Sequence, residues 1–405
     1  MDQRTSDRKA DVTTEFERDV VKLLLETMRA VAEQERTDVG TEGLLYALVS
    51  GEWAAGSAIA PGMKASGTLG GSIAARGTSV WISGDAGDGE AGSPDDEREI
   101  DAFWREVRYE EAKRLRWKNR KGEEPENVEL PPMTPALRAC LRKALEAARE
   151  EGTVSVRVRH VARALVELPD TRAREAMVVE KLDVPAASTA LHALRGSDEV
   201  PEPGPVLLMR KAGTFGKSGN PLTRKFFSWV SGGGAGFGSA VVSAVRSEAH
   251  RSAVRRGASA TEPVDVLLGI LALDRSLTVA GRELPEELTG ANRGAELLRR
   301  HGARQGAVAR ALLPTTGVAR EVPPEVEGSA GFERRLLHVT QFTASAQGSP
   351  TVGTTHLLAA LLDETGTDPE SAAEVARVLT ESGADVDGLR AEPELRAPGG
   401  AAREV

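Results

Sequence analysis

A 33-residue pattern that occurs four times constrains this chain more than any single motif. Each copy reads as a small-residue helix, a turn and an apolar helix. The turn-plus-helix parts are Val39 to Val49, Val156 to Val166, Thr261 to Leu271 and Val352 to Leu362, and the fourth, VGTTHLLAALL, is the clearest. A unit that cannot bury its apolar face alone has to pack on a neighbour, so a repeat settles the architecture first. It also turns the functional question from chemistry towards binding.

The register starts at Glu17, Thr134, Ser239 and Ala330. Six residues on come Leu23, Cys140, Val245 and Leu336, all apolar. Ten on come Thr27, Ala144, Ala249 and Thr340, and fourteen on come Val31, Ala148, Ala253 and Ala344. These small or β-branched positions are four apart and share one helical face. At twenty-seven come Leu44, Val161, Val266 and Leu357; at thirty, Ala47, Ala164, Gly269 and Ala360; at thirty-one, Leu48, Leu165, Ile270 and Leu361. Small residues let two helix backbones approach, and the large ones beside them fill the gap. The competing reading is chance similarity among Ala- and Leu-rich helices. The small-to-large step at thirty and thirty-one in all four copies argues against it.

With 405 residues the chain has room for two or three domains. Hydrophobic residues make up 40% and aromatics only 4%, so the cores must be aliphatic and Ala-rich, which suits helices. A net charge of −9 argues against bulk affinity for nucleic acid or an anionic membrane. The single cysteine, Cys140, excludes an internal disulfide and occupies an apolar repeat position, where a core residue is expected. The start, MDQRTSDRK, is polar, and runs such as Val266 to Leu273 are too short to span a bilayer. The expectation is a soluble, cytoplasmic, all-α protein.

Along the chain, residues 1–12 read as a polar tail. A helix is expected from Thr14 to Glu35, capped by Thr13 or Thr14, and a second one capped by Thr41 and broken near Gly51. Residues 55–130 read as a long insertion, Gly-, Ala- and Ser-rich to residue 94 and partly mobile, with a helix from Glu99 to Asn119 whose apolar side is Trp104, Val107, Leu115 and the stem of Arg108. Thr134 and Pro135 open the next helix as N-cap and first helical residue. Residues 197–236 read as an interdomain connection with a docked apolar piece, Phe226 to Val230. Further helical stretches follow each core at Arg172 to Lys181, Asn292 to Arg300 and Ser371 to Glu381, with stops at Gly302 and Gly383.

These residues resemble the Clp repeat, the module of the N-terminal domains of Clp-family AAA+ unfoldases. The family's turn reads like Val/Ile-Gly-Thr-Glu-His-Leu-Leu. Here Val39 to Leu45, VGTEGLL, lacks only the histidine, and Val352 to Leu358, VGTTHLL, only the glutamate. Glu262-Pro263-Val264-Asp265 is similar to a Glu-Pro-x-His variant, Thr134-Pro135 to the family's helix start, and Ala376 to Leu379 with Ser382 to Asp385 to its third helix and turn. The resemblance implies two pseudo-twofold helical domains of two repeats each, residues 13–196 with the insertion and 237–392, followed by a tail at 393–405.

The resemblance also implies a function. An unfoldase needs a phosphate-cradling Gly-x-x-x-x-Gly-Lys-Ser/Thr loop. The nearest string, Gly213 to Ser218, is two residues short, and Pro221 follows where a helix should begin. The expectation is therefore a non-catalytic, N-domain-only protein without a motor or cofactor. It would act as adaptor, substrate receptor or decoy, with a Clp unfoldase, adaptor or substrate as partner. Some family members grip phosphorylated arginine with the turn glutamate of both repeats, a task suited to a carboxylate. Here that position holds Glu42, Arg159, Val264 and Thr355, so Thr41 and Glu42 are the candidate ligand-binding residues.

Catalytic signatures such as Gly-x-Ser-x-Gly, His-Glu-x-x-His or Cys-x-x-Cys are absent from the sequence. His160 and His356 share one repeat position, which predicts a hydrogen-bonding role near a helix start, with a metal pair as the minor alternative. The basic residues from Arg105 to Lys121 interleave with Trp104, Tyr109 and Trp117, but Glu106, Glu110 and Glu111 among them favour a solvated amphipathic helix over a nucleic-acid surface. Two other readings stand beside the leading one: a scaffold of an unrelated pathway that reuses the repeat, and an enzyme with its site in the 55–130 insertion.

Overall fold

The computed structural model describes residues 13–76, 81–87, 92–119, 130–195, 202–216, 239–312, 330–363 and 369–396. The fold is all-α. Among the described residues the strands are two dipeptides, β1 (Glu15–Phe16) and β2 (Ser155–Val156). The chain divides into two compact units, Thr14–Pro201 and one that begins at Glu202.

In the first unit α1 (Arg18–Glu33), α2 (Thr41–Ser50), α3 (Ala54–Ile59), α4 (Met63–Arg76), α5 (Pro94–Asn119), α6 (Pro135–Glu150), α7 (Val158–Glu167), α8 (Arg172–Val179) and α9 (Val184–Ala193) enclose one core. The second holds α10 (Gly204–Ala212), α11 (Ala240–Arg256), α12 (Pro263–Val279), α13 (Glu286–Thr289), α14 (Gly294–Arg300), α15 (Gln305–Leu312), α16 (Ala330–Ala346), α17 (Thr354–Leu362), α18 (Pro369–Glu381) and α19 (Val386–Ala391). It has its own core.

Every repeat position singled out in the sequence is buried in all four copies, from Leu23 and Cys140 at position six to Leu361 at thirty-one. The threonines at position ten are buried because their hydroxyls donate back to the carbonyl of position six: Thr27 to Leu23 O at 2.9 Å and Thr340 to Leu336 O at 2.6 Å. At position thirty the small side chain has a steric cause in the third copy. A Cβ on Gly269 would lie 2.6 Å from Val245 O, so α11 and α12 touch there backbone to backbone.

The first two copies are joined by a reciprocal register. Phe16, the residue before the first copy, pairs in parallel with Val156, twenty-two residues into the second. Met133, the residue before the second copy, bridges in parallel to Val39, twenty-two residues into the first. Each copy thus lends the lead-in to its first helix to the turn before the other's second helix, a local twofold relation in which each bridge satisfies backbone groups that would otherwise be orphaned.

Several sequence expectations are corrected. Residues 55–94 are no simple loop, because α3 and α4 bury Ala55, Ile59, Leu69 and Ile73 in the core. Gly56 makes this possible: a Cβ there would sit 1.8 Å from Leu48 O, so no larger residue lets α3 cross α2 so closely. The helix expected from Glu99 starts at Pro94 and docks through Ile100, Phe103, Trp104 and Val107. Phe16 stacks on Phe103 with ring centroids 4.3 Å apart. The first helix is preceded by Glu17, not capped by Thr13 or Thr14. Within the expected 197–236 connection, α10 is an integral helix whose Val206 and Met209 are fully buried. Phe226 to Val230 lie outside the described residues.

Candidate functional site

Thr41 and Glu42 lie in the first turn of α2, and both are fully buried. Gly40, not Thr41, is the N-cap residue of α2; Thr41 is its first helical residue. The Thr41 hydroxyl therefore points away from its own helix. It donates to Asp85 Oδ1 at 2.6 Å and accepts from Ala173 N, in the first turn of α8, at 3.1 Å.

Asp85 organises this place, and the sequence reading passed over it. Its carboxylate accepts from Thr41 N at 2.9 Å, the Thr41 hydroxyl, the Thr134 hydroxyl at 2.7 Å and Arg172 N at 3.1 Å. Two of these donors are first-turn amides of α2 and α8, where backbone N–H groups lack intrahelical partners and the helix dipole favours negative charge. Its own carbonyl accepts from Ala136 N at 3.0 Å. Asp85 sits at φ 53°, the left-handed region that aspartate tolerates better than most residues. It opens the acidic run Asp85 to Asp101, and that run is the only signal that the sequence offered.

Glu42 is held by arginines of its own chain. Arg36 Nη1 donates to Glu42 Oε1 at 2.5 Å, and Arg36 Nη2 to Ile73 O at 2.9 Å. Arg172 Nη1 reaches the same Oε1 at 3.3 Å while its guanidinium grips Asp38 at 2.7 and 3.2 Å. Glu42 Oε2 has no hydrogen-bond partner among the described residues, and it lies 2.3 Å from where a Cβ on Gly40 would be. Burial pushes the Glu42 carboxyl up, with Asp85 adding to the effect and Arg172 and Arg36 opposing it. Burial works against the Arg172 charge, but Asp38, Glu42 and Asp85 outweigh it and hold that group above its ordinary range.

The second unit builds the same junction with other residues. Thr354, the counterpart of Thr41, donates its N–H to Asn292 Oδ1 at 2.9 Å and accepts from Gly294 N at 3.1 Å. Thr355 accepts from Arg293 N at 2.9 Å. In both units a threonine at one position of the repeat meets the first turn of a third helix, α8 or α14, with an Asx side chain between. At the glutamate position Val264 and Thr355 are buried. Arg159 pairs with Glu151 at 2.6 Å.

The shared histidine position is a capping position. His160 Nδ1 accepts from Arg157 N at 2.9 Å and His356 Nδ1 from Gly353 N at 3.1 Å. Asp265 does the same for Glu262 N at 2.9 Å. In each case the third helical residue reaches back to the N-cap amide, half of a capping box. The two histidines belong to different units, and each spends Nδ1 on its own turn. On α5, Trp104 and Tyr109 are buried while Trp117 is 76% exposed. Arg114 there is tied to Glu111, and Glu111 also holds Arg29.

No family model, curated protein or solved structure matches the chain.

Proposed function

We propose that this chain is a non-catalytic protein-binding module related to the N-domains of Clp unfoldases, acting as adaptor, substrate receptor or decoy in Clp-dependent proteolysis. The observation that carries this reading is the reciprocal register, Phe16 with Val156 and Met133 with Val39, which fits repeats that pair two by two as the Clp resemblance implies. The burial of all the shared positions supports it. Thr41 and Glu42 are the proposed contact residues, reached once the segment around Asp85 moves aside.

The test is co-purification from the native host with a tagged full-length chain. Enrichment of a Clp subunit, adaptor or Clp substrate over a control is the expected result. Enrichment of none of them overturns the reading.

One observation favours a second reading, a scaffold of an unrelated pathway. Glu42, the sole glutamate left at the family's gripping position, is already paired with Arg36 and Arg172 of the same chain. A module whose inherited contact point is filled from within is free to use another face. Co-purifying proteins with no link to proteolysis would select this reading.

A further inference from the structure

We infer that residues 82–87 are a latch over the Thr41–Glu42 turn, and that the first unit exchanges between a latched and an open state without unfolding its core. That the latch governs access to a partner rests on the protein-binding reading above; the latch itself does not.

The segment is fastened by polar contacts, whereas Trp81, just before it, packs half-buried against the core with the Arg76 guanidinium 5.1 Å from its ring and stays behind as the anchor. Asp85 supplies its four carboxylate bonds and its carbonyl bond to Ala136 N. Ser83 Oγ donates to Asp170 O at 2.6 Å, and the amides of Ile82 and Ser83 donate to Glu175 Oε2 at 2.9 and 3.1 Å. Its one large apolar side chain, Ile82, is 94% exposed. Such contacts exchange readily for water, because each is worth little net against solvent, whereas burial of an apolar side chain is lost outright on opening. Lifting the segment leaves amides and hydroxyls that water can satisfy, and the core formed by α1, α2, α6 and α7 stays covered by its own helices.

The second unit indicates what a permanent version looks like. Asn292 caps Thr354 N from within a helical turn, Gly290–Asn292, two residues before the Gly294 amide that the same junction uses. It cannot leave without unwinding that helix. Asp85 instead lies 44 residues from Thr41 and 87 from Arg172, so it can withdraw while both helices stay intact. Its charge, matched to two helix N-termini, favours the closed state in a way that a neutral Asn does not.

Native-state hydrogen exchange on the full chain tests this. The amides of Thr41, Ala136 and Arg172 are expected to exchange as one group, about tenfold or more faster than the core amides of Leu141 and Ala144, through a sub-global opening. Asp85→Ala should accelerate that group further and leave the core amides unchanged. If Asp85→Ala does not fold, Ser83→Ala serves, because it removes the hydroxyl bond to Asp170 O and the one that Ser83 Oγ accepts from Asp85 N at 3.1 Å, without touching a core side chain. Exchange of the three amides at the rate of the core group, or an equal acceleration of both groups by either variant, overturns the proposal.

Discussion

Glu42 and Arg36 meet at 2.5 Å with side-chain exposures of 0% and 1%. A pair so desolvated is costly to form and costlier to break from one side, because the survivor is then a buried, uncompensated charge. Glu42→Ala should therefore destabilise the first unit by about 3–5 kcal/mol, whereas replacing both residues with apolar ones of similar volume should recover most of the loss. Urea denaturation of the two variants reads this. A Glu42→Ala cost near that of a surface substitution would mean that the pair is hydrated in solution.

Glycines divide by what a methyl group would meet. At Gly56 an added Cβ lies 1.8 Å from a backbone oxygen of α2, so Gly56→Ala must push two helices apart. A loss of about 1–3 kcal/mol or more is expected, as for other overpacked sites. At Gly67 and Gly71 on α4 nothing lies within 4 Å. There alanine should stabilise by about 0.5–1 kcal/mol through helix propensity and a less free unfolded chain. Thermal melts of the three variants decide it, and the contrast in sign matters more than either magnitude.

The docking of α5 should weaken in acid. Burial disfavours the Glu97 charge, but hydrogen bonds from Arg138 and Arg142 outweigh this and hold its carboxyl below the ordinary value of 4.5. A depressed carboxylate contributes stability that is present above the unfolded value and lost as pH falls through the folded one. Asp101 on Arg138 and Asp96 on Arg149 lie along the same seam. Fluorescence of Trp104, buried on the docking face, should shift as pH falls below about 4.5, the range set by linkage. Glu97→Gln should lower stability at neutral pH and flatten that acid limb. An unchanged limb would place the acid sensitivity elsewhere.

The helical fold and the buried repeat positions were legible because packing imposes a period, and a period survives in one sequence. Thr134 as N-cap and Gly302 and Gly383 as stops were legible for the same local reason: capping chemistry acts within a turn. The helices α3 and α4 were not, because their Gly and Ser content signals loops unless one knows that Leu48 O needs a bare Cα opposite it. Asp85 was invisible for a different reason. Its four donors come from Thr41, Thr134 and Arg172, which meet only after both repeats have folded, and one aspartate in an acidic run carries no mark of that. The arginine partners of Glu42 were hidden likewise, although Arg36 is only six residues away.

His356 offers the last test, because it separates a helix-capping role from any ligand role at the same repeat position. Its Nδ1 accepts from Gly353 N, which requires a neutral ring, and burial lowers its pKa from the usual 6.5. Below 6.5 the unfolded chain binds a proton that the folded ring refuses, so stability is full above that value and falls as pH drops through the interval down to the lowered one. His356→Ala should cost about 1–2 kcal/mol for the lost cap and erase this dependence. His356→Asp should keep the cap and erase the dependence, because Asp265 already performs that task in the third copy, accepting from Glu262 N at 2.9 Å. Stability measured between pH 5 and 8, about the span over which histidine titrates, distinguishes the three chains. A variant that loses partner binding while keeping the cap and its stability would give this position a role beyond the fold.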